Sequence, residues 1–83
     1  MKTLQTLRCT IDALDTQIMA LLEQRFNAVT DIGEAKRASN TAVTDTAREA
    51  RVLKRCDRHA NATHIRDVYQ AIFAASKALQ KDG

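Results

Sequence analysis

Between Thr3 and Arg37 apolar residues recur in alternating steps of three and four at Leu4, Leu7, Ile11, Leu14, Ile18 and Leu21, and the same face continues through Leu22, Val29 and Ile32. That spacing lines one face of an α-helix, and no breaker interrupts it before Gly33. Thr3 is suited to cap its start. At a rise of about 1.5 Å per residue the helix is about 50 Å long. A compact domain of 83 residues has a radius of gyration of about 12 Å and a diameter of about 30 Å. The helix overshoots its own domain. A second copy of the chain is the simplest cover for the projecting apolar face, so the length predicts an obligate, intertwined homodimer.

The rest of the chain reads as helix too. There is no proline, the glycines are Gly33 and Gly83, and aromatic content is 4%, which leaves few of the residues that turns and strands require. Ala38 to Thr44 loses periodicity and gathers Ser, Asn and Thr, the composition of a loop. A second helix is expected from Asp45 or Thr46, with Thr46-Ala47-Arg48-Glu49 as a capping box, Val52, Leu53 and Cys56 as its stripe, and an end between His59 and Asn61. A third, capped by Asn61 or Thr63, carries Ile65, Val68, Tyr69, Ile72, Phe73, Ala75 and Leu79 and frays over Lys81-Asp82-Gly83. The expectation is an all-α fold: three helices per chain in one domain over residues 1–83.

Charge and cysteine content narrow the function classes. Thirteen Lys and Arg against ten Asp and Glu give a net charge of +3, interspersed along the chain. That pattern does not demand a nucleic-acid footprint and suits a small anion equally well. Cys9 and Cys56, without a signal-like N-terminus, read as reduced thiols in the cytoplasm, with Cys9 a small buried or boundary residue. No stretch approaches the roughly 20 apolar residues that span a bilayer. Cys56-x-x-His59 with His64 lacks four ligands at zinc spacing, so no metal is expected, and no glycine-rich phosphate loop is present.

The informative residues are polar ones where the seam should be apolar. Continuing the first heptad from Leu21 puts Arg25 on it, and Lys36, eleven residues on, points the same way about 16 Å along the axis. A buried cation needs compensation. Two readings are open: a structural salt bridge or snorkelling to solvent, or a pocket for a carboxylate-bearing ligand, which the planar fork of arginine suits. Ser76 and Gln80, spaced i, i+4, flank the third helix's stripe, either as edge residues or as part of such a pocket. Arg48 and Glu49 open the second helix, where Glu49 is also the capping-box carboxylate. Gly33 either permits close approach of a helix or ligand or is merely tolerated, at about 1 kcal/mol against alanine. Arg8 lies about 25 Å from Arg25 on another face and can reach a shared ligand only across an antiparallel dimer.

Across nearly its full length the sequence resembles the all-helical chorismate mutases. The matching stretches are Leu7-Arg8-x-x-Ile11-Asp12-x-Leu14-Asp15, Leu21-Leu22-x-x-Arg25, Ile32-Gly33-x-x-Lys36, Val43-x-Asp45-x-x-Arg48-Glu49 and Ser76-x-x-x-Gln80. The resemblance implies a domain-swapped dimer with two composite sites and conversion of chorismate to prephenate on the route to phenylalanine and tyrosine. It implies that Arg25 and the partner's Arg8 bind the substrate carboxylates. Lys36 would bind a carboxylate and the ether oxygen, to which Gln80 also donates. Glu49, with the backbone near Asp45, would hold the ring hydroxyl, while Arg48 and Ser76 complete the polar wall. Ala42 replaces the proline usual before Val-x-Asp, and the connection between helices two and three looks short.

Such a rearrangement is a pericyclic [3,3] shift and calls for no nucleophile, metal or cofactor. It is helped by freezing the reactive conformer and by donors at the oxygen where negative charge grows. An isochorismate-pyruvate lyase on the same fold, and a non-catalytic helical adaptor or DNA-binding module, are the alternative readings.

Overall fold

The computed structural model describes residues 1–82, and these form three α-helices: α1 (Leu4–Ala38), α2 (Thr46–Cys56) and α3 (Ala62–Asp82). Gly83, the last residue of the expected fraying end, lies outside the described residues. α1 starts as expected. Thr3 is extended and its hydroxyl accepts from the Thr6 N–H at 3.1 Å, one of the four amides a helix start leaves unpaired. α1 is closed beyond its C-cap Ser39 by Asn40, whose φ of 56° lies in the left-handed region. Around it Thr41 N–H donates to Lys36 O at 2.8 Å and Asn40 N–H to Arg37 O at 3.2 Å. This is a Schellman closure with asparagine in the place glycine usually takes, and Lys36 and Arg37 in the last turn complement the helix dipole.

α2 starts at Thr46, within the expected range, but its cap and its end differ from the expectation. The N-cap is Asp45, whose Oδ1 accepts from Arg48 N–H at 3.0 Å. Thr46 is already inside the helix, so Thr46-Ala47-Arg48-Glu49 is not a capping box and Glu49 is left free for other contacts. The helix stops at Cys56 rather than between His59 and Asn61. There Asp57, Arg58 and His59 donate to carbonyls three residues back, tightening the backbone into turns. Asp57 then grips Arg66 of α3 with two bonds, at 2.9 and 3.0 Å, which fixes the corner between α2 and α3. Hydrogen bonding from Arg66 lowers the Asp57 carboxyl below its ordinary value, and the Arg66 guanidinium is raised in turn.

α3 packs against both α1 and α2, while the α1 and α2 backbones do not meet within 8 Å. A wedge-shaped space is left between them. Val29, Val52, Cys56 and Phe73 form the buried apolar core, to which α1 contributes Val29 from its C-terminal half, and Tyr69 leans on Phe73 with ring centroids 5.9 Å apart. The N-terminal half of α1 projects. The molecule measures 56 × 24 × 14 Å with a radius of gyration of 16.0 Å, well beyond the roughly 12 Å of a compact chain this long. Leu4, Leu7, Ile11, Leu14, Ile18 and Leu21 are between 42% and 64% exposed. Cys9 sits on the same stretch and is exposed, against the expectation of a buried or boundary residue. No helix among the described residues is long and apolar enough to cross a membrane.

Candidate active site

The wedge between the helices is a cavity of about 420 Å³. Arg25 and Lys36 reach it from α1, Asp45, Arg48 and Glu49 from the start of α2, and Ser76 and Gln80 from α3. Its apolar lining includes Val29, Ile32, Val52 and Phe73. All the sequence-predicted site residues except Arg8 line this one space. Arg8 belongs to the projecting half of α1 and is not among them.

Each side chain is held by identifiable contacts. Arg25 is half-buried, donates from Nη1 to Ser76 Oγ at 2.8 Å and sits over the Tyr69 ring at 6.0 Å. Ser76 in turn donates to Ile72 O at 2.7 Å, so its hydroxyl is oriented to accept from the arginine. Among the described residues the seam cation has no carboxylate partner, and Arg25 has further guanidinium donors besides the one given to Ser76. Lys36 Nζ donates to Val43 O at 2.8 Å, which ties the loop before α2 to α1 and leaves further ammonium protons for a ligand. Ser76 and Gln80 are 6% and 8% exposed, so neither is an edge residue.

Gln80 is positioned from three sides. A Cβ at Gly33 would stand 3.0 Å from Gln80 Cα, so the glycine is what lets α1 and α3 approach here. Arg37 Nη1 donates to Gln80 O at 2.7 Å and satisfies a carbonyl of the last turn of α3. The side-chain amide is loosely held, with Nε2 3.4 Å from Ser76 O, beyond the usual range for such a bond. Its Oε1 is buried with no hydrogen-bond partner. A buried polar atom left unpaired is costly, a sign that this amide is arranged for something other than stability.

Lys77 was not apparent from the sequence, yet it lines the cavity and pairs with Glu49 at 3.1 Å. The signal was present: Phe73, Lys77 and Gln80 are spaced i, i+4, i+7, so Lys77 interrupts an apolar stripe much as Arg25 does. Arg37 left no such signal, since it works through a backbone carbonyl. With Lys77 the cavity wall holds four cations (Arg25, Lys36, Arg48, Lys77) and two carboxylates (Asp45, Glu49), a net charge that complements a dianion. A second hollow of about 160 Å³ beside Arg55, Arg58 and His59 contains none of these groups except the shared Val52 at its edge.

A family model described as chorismate mutase type II matches residues 7–81. The chain is similar to a solved structure described as a conserved hypothetical protein from Pyrococcus furiosus, at 35% identity over 96% of this chain and 97% of that one, with a TM-score of 0.83. No curated protein matches the sequence.

Proposed function

Because the chain belongs to the chorismate mutase type II family, we propose that it catalyses the rearrangement of chorismate to prephenate in the cavity between its helices. One observation carries the reading: Arg25, Lys36, Arg48, Glu49, Ser76 and Gln80, drawn from three helices, converge on a single space. The substrate carries two carboxylates, a ring hydroxyl and an ether oxygen that gains negative charge as its C–O bond breaks. Arg25, fixed by Ser76, and Arg48 bind carboxylates. Lys36 and Gln80 donate to the ether oxygen, where preorganised donors act most strongly. That oxygen only accepts, so Gln80 must offer Nε2, and its weak tie to Ser76 O leaves the amide free to turn. Glu49 accepts from the ring hydroxyl. The apolar wall of Val29, Ile32, Val52 and Phe73 holds the ring in the folded conformer, a positioning contribution. Arg25, Lys36 and Lys77 are half-buried and face a cavity rather than open surface, which favours this reading over a DNA-binding or adaptor module.

A homodimer completes the site in this reading. Two antiparallel copies of α1 cover each other's exposed stripe and bring the partner's Arg8 to the open side of each cavity, adding a cation for a carboxylate. The buried apolar core of four side chains among the described residues, none of them fully buried, supports it, because so small a core is marginal without a staple or a partner.

The test is the ultraviolet absorbance of chorismate mixed with purified protein. Loss of chorismate with formation of prephenate is the expected result. Pyruvate released from isochorismate instead assigns the cavity to lyase chemistry, and turnover of neither defeats the enzymatic reading.

A further inference from the structure

Glu49 is freed from helix capping by Asp45, and among the described residues its one ion pair is to Lys77, whose Nζ lies 3.1 Å from Oε2. The two side chains are 24% and 33% exposed and both line the cavity, so the pair crosses from α2 to α3 along the wall. Lys77 falls at an unmatched position of the Ser76-x-x-x-Gln80 stretch, and nothing in the fold requires a lysine there. The charged groups sharing the cavity with Glu49 are Arg25 and Lys36 from α1, Asp45 and Arg48 from the start of α2, and Lys77 from α3. An unanchored Glu49 carboxylate has three other cations within the same space, and pairing with any of them neutralises a group that a dicarboxylate needs.

We propose that Lys77 is a positioning residue for Glu49: it anchors Oε2 against α3, leaves Oε1 to accept from the ring hydroxyl, and keeps the carboxylate off Arg25, Lys36 and Arg48. The proposal rests on the mutase reading. Lys77 itself need not touch the substrate. Its effect passes through Glu49, and that distinguishes it from one more cation attracting the substrate.

A double-mutant cycle reads that distinction. Chorismate turnover is measured for the wild type, Lys77→Met, Lys77→Arg, Glu49→Gln and the double variant Lys77→Met/Glu49→Gln. Loss of a charge-assisted bond lowers kcat/KM about tenfold in Lys77→Met. Lys77→Arg, which restores the pair, stays within about threefold of wild type by the same reasoning. The double variant is expected to be no worse than Glu49→Gln alone. Losses that multiply in the double variant, or a Lys77→Met enzyme with wild-type kcat/KM, overturn the proposal. Far-UV circular dichroism verifies that each variant is folded, and Lys77→Gln takes the place of Lys77→Met in the cycle if the latter is not. A wild-type chain that leaves chorismate unchanged removes the mutase reading and this proposal together. An active wild type with multiplying losses removes the proposal alone.

Discussion

At the residue scale the site depends on contacts that hold polar groups in place. Gly33 is the clearest case. Its replacement by alanine gains about 1 kcal/mol of helix propensity, but the new Cβ meets Gln80 Cα at 3.0 Å, and overpacking against backbone costs about 1–3 kcal/mol. The second effect is expected to win: Gly33→Ala lowers the melting temperature slightly and the chorismate turnover more, because Gln80 is what moves. Turnover that falls no further than the melting shift accounts for would count against Gln80 as a donor. Lys36→Ala removes the donor assigned to the ether oxygen and should lower kcat by about 10²-fold or more. Steady-state kinetics check this, with thermal unfolding separating the lost Val43 contact from the lost catalysis.

At the element scale the helix ends decide where the site residues stand. Asp45 caps α2 through Arg48 N–H and also borders the cavity, so one residue both starts the helix and fixes the register of Arg48 and Glu49. Asp45→Ala should cost about 1 kcal/mol of stability, measured by chemical denaturation, and Asp45→Asn should recover most of it because asparagine caps equally well. The Asp57–Arg66 pair at the α2–α3 corner carries a pH signature. Its carboxyl is lowered below the ordinary 3.8 by hydrogen bonding from Arg66. The contribution is therefore present above that unfolded value and lost as pH falls through the lowered folded one. Both groups are exposed, so the effect is small and screened by salt. Asp57→Asn should flatten the loss of stability in acid, and a denaturation series below pH 4 that is unchanged by it would remove the pair from the account.

At the scale of the whole molecule the dominant fact is a 56 Å chain whose apolar stripe along the N-terminal half of α1 is exposed among the described residues. Sedimentation is expected to give a dimer, and a folded monomer of 9.2 kDa would contradict the proposed pairing. If each site borrows Arg8 from its partner, inactive Arg8→Ala and Lys36→Ala chains refolded together regain activity. Half of a random mixture is heterodimer, each with one intact site, so about a quarter of wild-type turnover is expected by the symmetry of the pair. No recovery would leave the site within one chain.

The sequence by itself determined the helices and most of the residues that line the cavity. Local rules supply the three-and-four spacing of α1, a cap at Thr3, Arg25 on the apolar stripe, and Lys36, Ser76 and Gln80 beside it. It was less able to place boundaries that depend on distant groups. The stop at Cys56 coincides with a corner that Arg66 clips from the next helix, and Glu49 reads as a cap until Asp45 is seen to take that role. Tertiary structure alone decided that Gly33 serves close packing, that Arg25 rests on Ser76 and not on a carboxylate, and that Lys77 meets Glu49 twenty-eight positions away. Those contacts lie between helices. Periodicity fixes which face a residue is on, while only the packing of α3 against α1 and α2 fixes what that face meets.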